Sequence, residues 1–496
     1  MEPLQIRMKI GFFYAAAGIL GLLYLILAVN DVILATMFSL TIAAVYLFYR
    51  YSDLSFITLL LILPFLGLGV FNESMAGIPG LRPQILLVPL VVLFFIIKKK
   101  PYSIPAGLIV SIFMILTLFT VSFFRSIEYA SKISGRFINF SVYSYASTQF
   151  LSPIIIMLPL LLIPLYYQSE KEISRITTVL IASITIISAC VIALYLFVEP
   201  MKLDLNHFRN TLSTMLGIHG NDLANFCFLA IPFLLVACLH KKNVWAYGAL
   251  LLTLGATALS YSRTAYFIVL FGIVLFYFLS GRYKYLPIIA IVIFLVLQFV
   301  LPESIIDRAL TGFSEGDLNL ISAGRIQHLW QPILNEINIK PDVIWFGYGI
   351  HGIINLRAWQ TGTIFAVSHA HNMYLDMILE SGLIGLISLL AFYAYVLVKF
   401  IKSYRRRELE SWQRDLLAAV IVAIICYLIS GFTGRRLFPS LSNIYVWIVT
   451  GLGFSLVSAG KARAGLNPAS WQSLMKTNEQ QPNVSWLKNT KGGTGA

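Results

Sequence analysis

Long apolar runs separated by short polar joints set the pattern of this chain. A helix needs about 20 apolar residues to cross the hydrocarbon core of a bilayer. Runs of that kind lie near 10–29, 32–49, 54–71, 82–97, 104–124, 150–167, 176–198, 221–239, 244–259, 265–280, 285–301, 371–398, 416–434 and 440–459. The pattern predicts an all-α polytopic membrane protein with about 14 transmembrane helices, in a range of 12–14. The fourth run is the weakest, since its unbroken apolar part is only 85–97. The first run leads straight into more spans, so no cleavable leader is expected. Pro64, Pro89 and Pro232 predict broken or kinked helices.

Composition agrees with the pattern. Of 496 residues, 58% are hydrophobic and 12% charged. A soluble globular chain is nearer half apolar and a quarter charged. An ordinary soluble enzyme and a disordered protein are therefore excluded. The four cysteines (Cys190, Cys227, Cys238, Cys426) all fall in apolar runs, where cysteine behaves as a small hydrophobe. They point to no disulfide framework, redox site or metal site.

The net charge of +14 would suggest nucleic acid in a soluble protein. Here the positions of the charges give a different reading. With the N-terminus in the cytoplasm and 14 spans, 23 of the 36 Lys and Arg fall inside and 13 outside. The 22 acidic residues divide the other way, 8 inside and 14 outside. Every short basic loop then lies inside, as the orientation rule requires. Deleting the fourth span would put Lys98 to Lys100 on the wrong side. Both termini are expected in the cytoplasm, and no nucleic-acid partner is needed.

Three outside segments are long: 125–149, 199–220 and 302–370. The last, between the eleventh and twelfth spans, is too long for a simple connector. It carries Trp330, Trp345 and Trp359, a helical-looking stretch at 325–337, and turn glycines at 347, 349 and 352. It reads as a small folded extracytoplasmic cap. The polar stretch 460–496 reads as a disordered cytoplasmic tail.

Ionisable residues at span boundaries are the ones to explain in a membrane protein. Arg263 sits in the short turn Ser260-Tyr-Ser-Arg-Thr264. Arg325 begins a helical stretch, and Arg209 precedes the span that opens Gly220-Asn221-Asp222. Arg435 and Arg436 stand at the outer end of the thirteenth span. Outside positive charge opposes the orientation rule, and an anionic ligand supplies a reason for it. Guanidinium forks hold phosphate in bidentate fashion. The competing reading is a set of ion pairs with Asp307, Glu315, Asp317 and Asp342.

A second constellation joins the large loop to the twelfth span. Asn372, Asp376 and Glu380 are spaced by four and form one helical stripe. At 1.5 Å per residue, the two carboxylates lie roughly 7 Å and 13 Å below the helix start. Carboxylates at that depth face a cavity or a partner, and the outer arginines are the available partners. His371 stands at the mouth of the stripe, where an imidazole can act as a base at neutral pH. An inert, hydrogen-bonded His371 is the plain alternative. A metal on His369, His371 and Asp376 is a third, but the spacing does not match a zinc helix signature.

The stretch His371-Asn372, nine residues, Gly382, two residues, Gly385 resembles a pattern of the bacterial O-antigen ligase family, which is kin to the O-antigen polymerases and protein O-oligosaccharyltransferases. Asn221 in Gly220-Asn-Asp-Leu-Ala-Asn resembles that family's Asn-rich span start. Ser262-Arg263-Thr-Ala resembles its Ser-Arg turn, Arg325 to Leu329 an Arg-x3-Leu element, and Phe346-Gly-Tyr-Gly349 the Gly-x-Gly that follows. The resemblance covers about 205–400. It divides the chain into an N-terminal transmembrane region (1–200), a ligase-like core with the 302–370 loop (201–400), a C-terminal transmembrane pair (401–459) and the tail (460–496).

The resemblance implies a C-type glycosyltransferase fold in the bacterial inner membrane, with its active site facing outside. It implies an undecaprenyl-pyrophosphate-linked glycan as donor and a glycan or lipid A core hydroxyl as acceptor. It implies inverting transfer with no metal and no other cofactor. His371 would be the catalytic base. Arg263, Arg325 and Arg209 would bind the pyrophosphate. Asn372, Asp376, Glu380, Asn221, Gly382 and Gly385 would support the site, and the cap's tryptophans would bind sugar. Membrane lipids complete the expected partners. The competing classes are a flippase for lipid-linked oligosaccharides and a protein O-oligosaccharyltransferase. A flippase needs basic residues in a central cavity between related halves, and no half-to-half similarity is visible.

Overall fold

The computed structural model describes residues 43, 45–68, 82–128, 142–198, 205–291, 306–307, 310–311, 316–364, 367–406, 409–434 and 436–464. The predicted spans at 10–29 and at 32–49 (save its last residues), most of 285–301, Arg435 and the tail beyond 464 lie outside them. Among the described residues the chain is helical, with no strand. Seven helices are long and apolar enough to cross a membrane: 106–127, 143–166, 170–197, 220–241, 373–405, 411–430 and 441–461. Four shorter apolar helices occupy 52–65, 83–98, 244–259 and 263–279.

Three of these helices form the centre. Along 220–241, 411–430 and 444–457 nearly every side chain is buried, whichever way it points. A helix apolar all round has no solvent face and settles in the middle of a bundle. The outer helices keep apolar side chains on the surface. Phe113, Val110, Leu251, Phe278 and Phe124 are all more than half exposed. An apolar surface of that extent suits lipid and not water.

The helices run through two of the three prolines expected to break or kink them. Pro89 and Pro232 lie inside the Pro83–Lys98 and Gly220–Lys241 helices. Pro64 does end its α-helix, in a tight turn at Leu63–Phe65. The sharpest break falls instead at Gly382 (φ 68°, ψ −171°), within the Met373–Arg405 helix. A break exposes backbone carbonyls that must find donors. Tyr348 N–H donates to Leu379 O (2.6 Å), and Gly349 N–H donates to Glu380 O (3.0 Å). Glycine is required on both sides of this joint. A Cβ on Gly382 would run into the Trp345 carbonyl, and one on Gly347 (φ 66°) into the backbone of Glu380 and Ser381.

The two ends of the bundle differ in their polar contacts. At one end Lys99 meets Asp53 (3.3 Å) and Glu172 (3.0 Å), and Arg175 also pairs with Asp53. At this end too, buried Asp415 accepts from His240 (2.7 Å) and Arg282 (2.8 Å). The other end, where the Gly220–Lys241 and Met373–Arg405 helices begin, carries the candidate site. There the described parts of the 302–370 segment fold into short helices over a buried set that includes Leu329, Ile333, Ile337, Ile353, Ile354 and Trp359.

Candidate active site

Three of the predicted arginines line one pocket. It has a volume of about 300 Å³, within the usual range of small-molecule sites. Arg209, Arg263 and Arg325 line it, together with Asn221. These four residues come from four separate segments. Arg209 projects from the Leu205–Leu216 helix. Asn221 opens the Gly220–Lys241 helix, and Arg263 is the first residue of the Arg263–Leu279 helix. Arg325 precedes a wide helical turn at Ile326–Trp330 that passes into Gln331–Ile337.

Local bonds set the arginines in place. Arg209 Nη2 donates to Asn221 Oδ1 (3.2 Å). Arg263 Nη1 donates to the carbonyls of Thr311 (3.0 Å) and Leu320 (3.2 Å). Asp317, one of the carboxylates weighed as an arginine partner, accepts from the N–H groups of Asn319 (2.7 Å) and Leu320 (3.2 Å) as a helix cap. Two helix N-termini open on the pocket beside the guanidiniums, those of Gly220–Lys241 and Arg263–Leu279. A cation at a helix N-terminus opposes the helix dipole, whereas an anion there is favoured. Asp222 lines the pocket too, so three guanidiniums meet one carboxylate there, and the balance of charge favours a negatively charged ligand.

His371 lies beside this pocket and not in its lining. The neighbouring Ala370 carbonyl accepts from the indole N–H of Trp330 (2.9 Å), and Trp330 does line the pocket. His371 adopts a left-handed backbone conformation (φ 52°), and its ring lies 4.0 Å from that of His369. Such a conformation costs of order 1–3 kcal/mol and persists where the surroundings fix it. Here they do. Asp376 Oδ1 accepts from Ala370 N–H (2.6 Å), and Met373 N–H donates to Gly431 O (2.9 Å). Asn372 Oδ1 caps the helix, accepting from the N–H groups of Tyr374 (3.0 Å) and Leu375 (3.2 Å).

The stripe is buried throughout, and its members do different work. Asn372 and Asp376 hold the backbone around His371. This cap role makes a separable prediction. Asn372→Ala should cost about 1 kcal/mol of stability. Asn372→Ser, which still caps, should recover most of it in thermal unfolding of the purified protein. Glu380 meets an arginine, as its depth required: its Oε1 lies 3.3 Å from Arg436 Nε.

Arg436 is the hub of a cluster that sequence reasoning placed only in part. Its Nη1 donates to Gln149 Oε1 (3.1 Å). Its Nη2 lies 2.7 Å and 3.0 Å from the two ring nitrogens of His351. Burial, aided by the Arg436 charge, pushes the His351 pKa down to about 3, so the ring is neutral at physiological pH. A neutral ring can accept from Arg436 at one nitrogen and donate to Ser368 O (3.2 Å from Nδ1) at the other. Tyr427 OH and the Asn443 carboxamide both donate to the Arg436 carbonyl (2.9 and 3.1 Å). No spacing rule singles out His351 or Gln149, because the fold alone brings them to Arg436.

The three tryptophans of the 302–370 segment part company. Trp359 is buried and donates to Val367 O (2.9 Å), so it packs the segment and cannot face a sugar. Trp345 is about half exposed, and Trp330 lines the pocket. Among the described residues no three His, Cys, Asp or Glu gather closely enough to hold a metal ion.

Residues 248–390 match the O-antigen ligase family model. The resemblance read from the sequence is thus supported over this stretch, which contains Arg263, Arg325, His371, Asn372, Asp376, Glu380, Gly382 and Gly385. Arg209 and Asn221 lie before it and join the site through the fold. No curated protein matches the chain. Over residues 248–390 the chain is thus similar to the O-antigen ligase family, and its long apolar helices fit a membrane protein.

Proposed function

We propose that this protein transfers a glycan from undecaprenyl pyrophosphate to an acceptor hydroxyl at the outer face of the bacterial inner membrane. The acceptor is a lipid A core sugar, for a ligase, or the next lipid-linked repeat, for a closely related polymerase. The observation that carries this reading is the meeting of Arg209, Arg263 and Arg325 with two helix N-termini in one pocket, beside the pinned His371 loop.

Pyrophosphate is already a good leaving group, so the demands on the protein are charge stabilisation and acceptor deprotonation. The arginines would hold the pyrophosphate and neutralise the charge that grows on it as the bond to the anomeric carbon breaks. The acceptor oxygen would attack that carbon from the opposite face, inverting it. His371 would take the hydroxyl proton. The end of the bundle that carries Lys99 and Arg175 lies opposite the pocket. By the orientation rule that end faces the cytoplasm and the pocket faces out.

A deletion strain complemented with variants and read on a surface-glycan gel tests the reading. Unattached full-length undecaprenyl-linked chains mark a ligase, and single repeats on the core mark a polymerase. An unchanged glycan pattern on deletion sinks both. Arg263→Ala is expected to lower transfer about 10²–10³-fold, the usual loss for one donor at a developing charge. Arg263→Lys should restore only part, because an ammonium lacks the fork. Unchanged turnover and donor affinity in Arg263→Ala would remove Arg263 from the pyrophosphate site.

A further inference from the structure

A second cavity, of about 220 Å³, opens at the same end of the bundle. The segment joining the last two long helices separates it from the arginine pocket. Ser430 and Phe432 to Gly434 line the first cavity, and Arg436 and Pro439 to Leu441 line the second. The other walls come from the start of the Pro83–Lys98 helix and from the 148–156 stretch. None of its lining residues falls within 248–390.

The chemistry of this cavity is mixed in a specific way. Two guanidiniums, Arg82 and Arg436, line it, and among the described residues no carboxylate does, though Glu380 pairs with Arg436 from behind the lining. Gln84, Gln149, Ser152 and Ser440 add carboxamides and hydroxyls, set among apolar side chains such as Ile156. Gln84 is only 6% exposed. Its Nε2 donates to Ser152 Oγ (3.4 Å), yet its Oε1 has no hydrogen-bond partner among the described residues. A buried carboxamide oxygen left without a donor is costly, and a ligand hydroxyl would satisfy it.

Carboxamides, hydroxyls and guanidiniums among apolar groups suit a sugar. The hydroxyl edge of a sugar ring exchanges hydrogen bonds, and its C–H face packs on hydrocarbon. Arg436 is already paired with Glu380, so Arg82 is the guanidinium that favours an acidic substituent. We infer that this cavity is a second carbohydrate subsite, which takes a negatively charged sugar of the acceptor. The acceptor assignment rests on the transfer reading above; the sugar site itself does not. Arg436 links the cavity to Glu380 and His351. A sugar held there therefore adjoins the residues that brace the His371 helix.

Saturation-transfer NMR on the purified full chain in detergent tests the site without turnover. The probes are methyl β-D-glucuronide, methyl β-D-glucoside and inorganic phosphate. The glucuronide is expected to give the stronger sugar signal, to keep it in Arg263→Ala, and to lose it in Gln84→Leu and Arg82→Gln. Gln84→Glu keeps the side-chain size and should reject the glucuronide while still admitting the glucoside. No glucuronide signal, a signal that survives Gln84→Leu and Arg82→Gln, or full displacement by equimolar phosphate overturns the proposal. In a transfer assay, Gln84→Leu should raise the acceptor KM and leave the donor KM unchanged. A raised donor KM overturns the acceptor assignment. A chain that transfers no glycan at all still reports sugar binding by NMR, so the two failures are separable.

Discussion

His371→Ala is expected to lower glycan transfer by about 10²–10⁴-fold, the usual contribution of a positioned general base. Donor binding should survive, because the arginine pocket does not include His371. The substitution also removes a side chain from a left-handed position without changing the bonds that pin it, those of Ala370, Asp376, Trp330 and Met373. Folding should therefore be nearly unchanged, and size-exclusion behaviour and thermal unfolding check this. Lipid-linked glycan would then accumulate in the complemented strain while surface glycan disappears. Wild-type levels of surface glycan with His371→Ala would rule out the base assignment.

Gly382→Val should abolish the folded protein and not merely its activity. The residue needs φ 68°, a conformation that a β-branched side chain resists. Its Cβ would also overlap the Trp345 carbonyl, which is backbone and has little freedom to retreat. Strain of about 1–3 kcal/mol and overpacking of a similar size point to a loss of about 2–6 kcal/mol. That is a large fraction of the stability of a typical domain. The measurement is the yield of monodisperse protein after detergent extraction, with Gly248→Ala, where an added Cβ meets open space, for comparison. Full yield of Gly382→Val with a normal unfolding temperature would mean that the helix break is not required.

The all-helical, apolar character of the chain was legible because long apolar runs are a direct record of the bilayer. The Arg263 and Arg325 positions were legible too, since charge at a span boundary has few explanations. The Asn372, Asp376 and Glu380 stripe gave its burial away by spacing alone. What each member touches was less visible. Asp376 holds a backbone N–H of the His371 loop, and Asn372 caps a helix. The pairing of Glu380 with Arg436 joins residues that are far apart in sequence, and His351 and Gln149 enter the same cluster with no local signal. Of the three prolines only Pro64 ends its α-helix, since the helices continue through Pro89 and Pro232. The tryptophans misled in part, since an indole can fill a core as well as a sugar site.

The broken helix has one more consequence. Its joint is closed from a third direction by the Ala106–Ile127 helix. Ser122 O accepts from Ile350 N–H (3.2 Å), Ser122 Oγ bonds to Ser381 Oγ, and Arg125 reaches the Phe346 carbonyl (3.0 Å). The stretch shared with the ligase family is therefore not a detachable module. Its central bend is locked by a helix that precedes it by more than a hundred residues. Excised, or transplanted without that helix, residues 248–390 would keep His371, Asn372, Gly382 and Gly385 and lose the brace that holds them in shape.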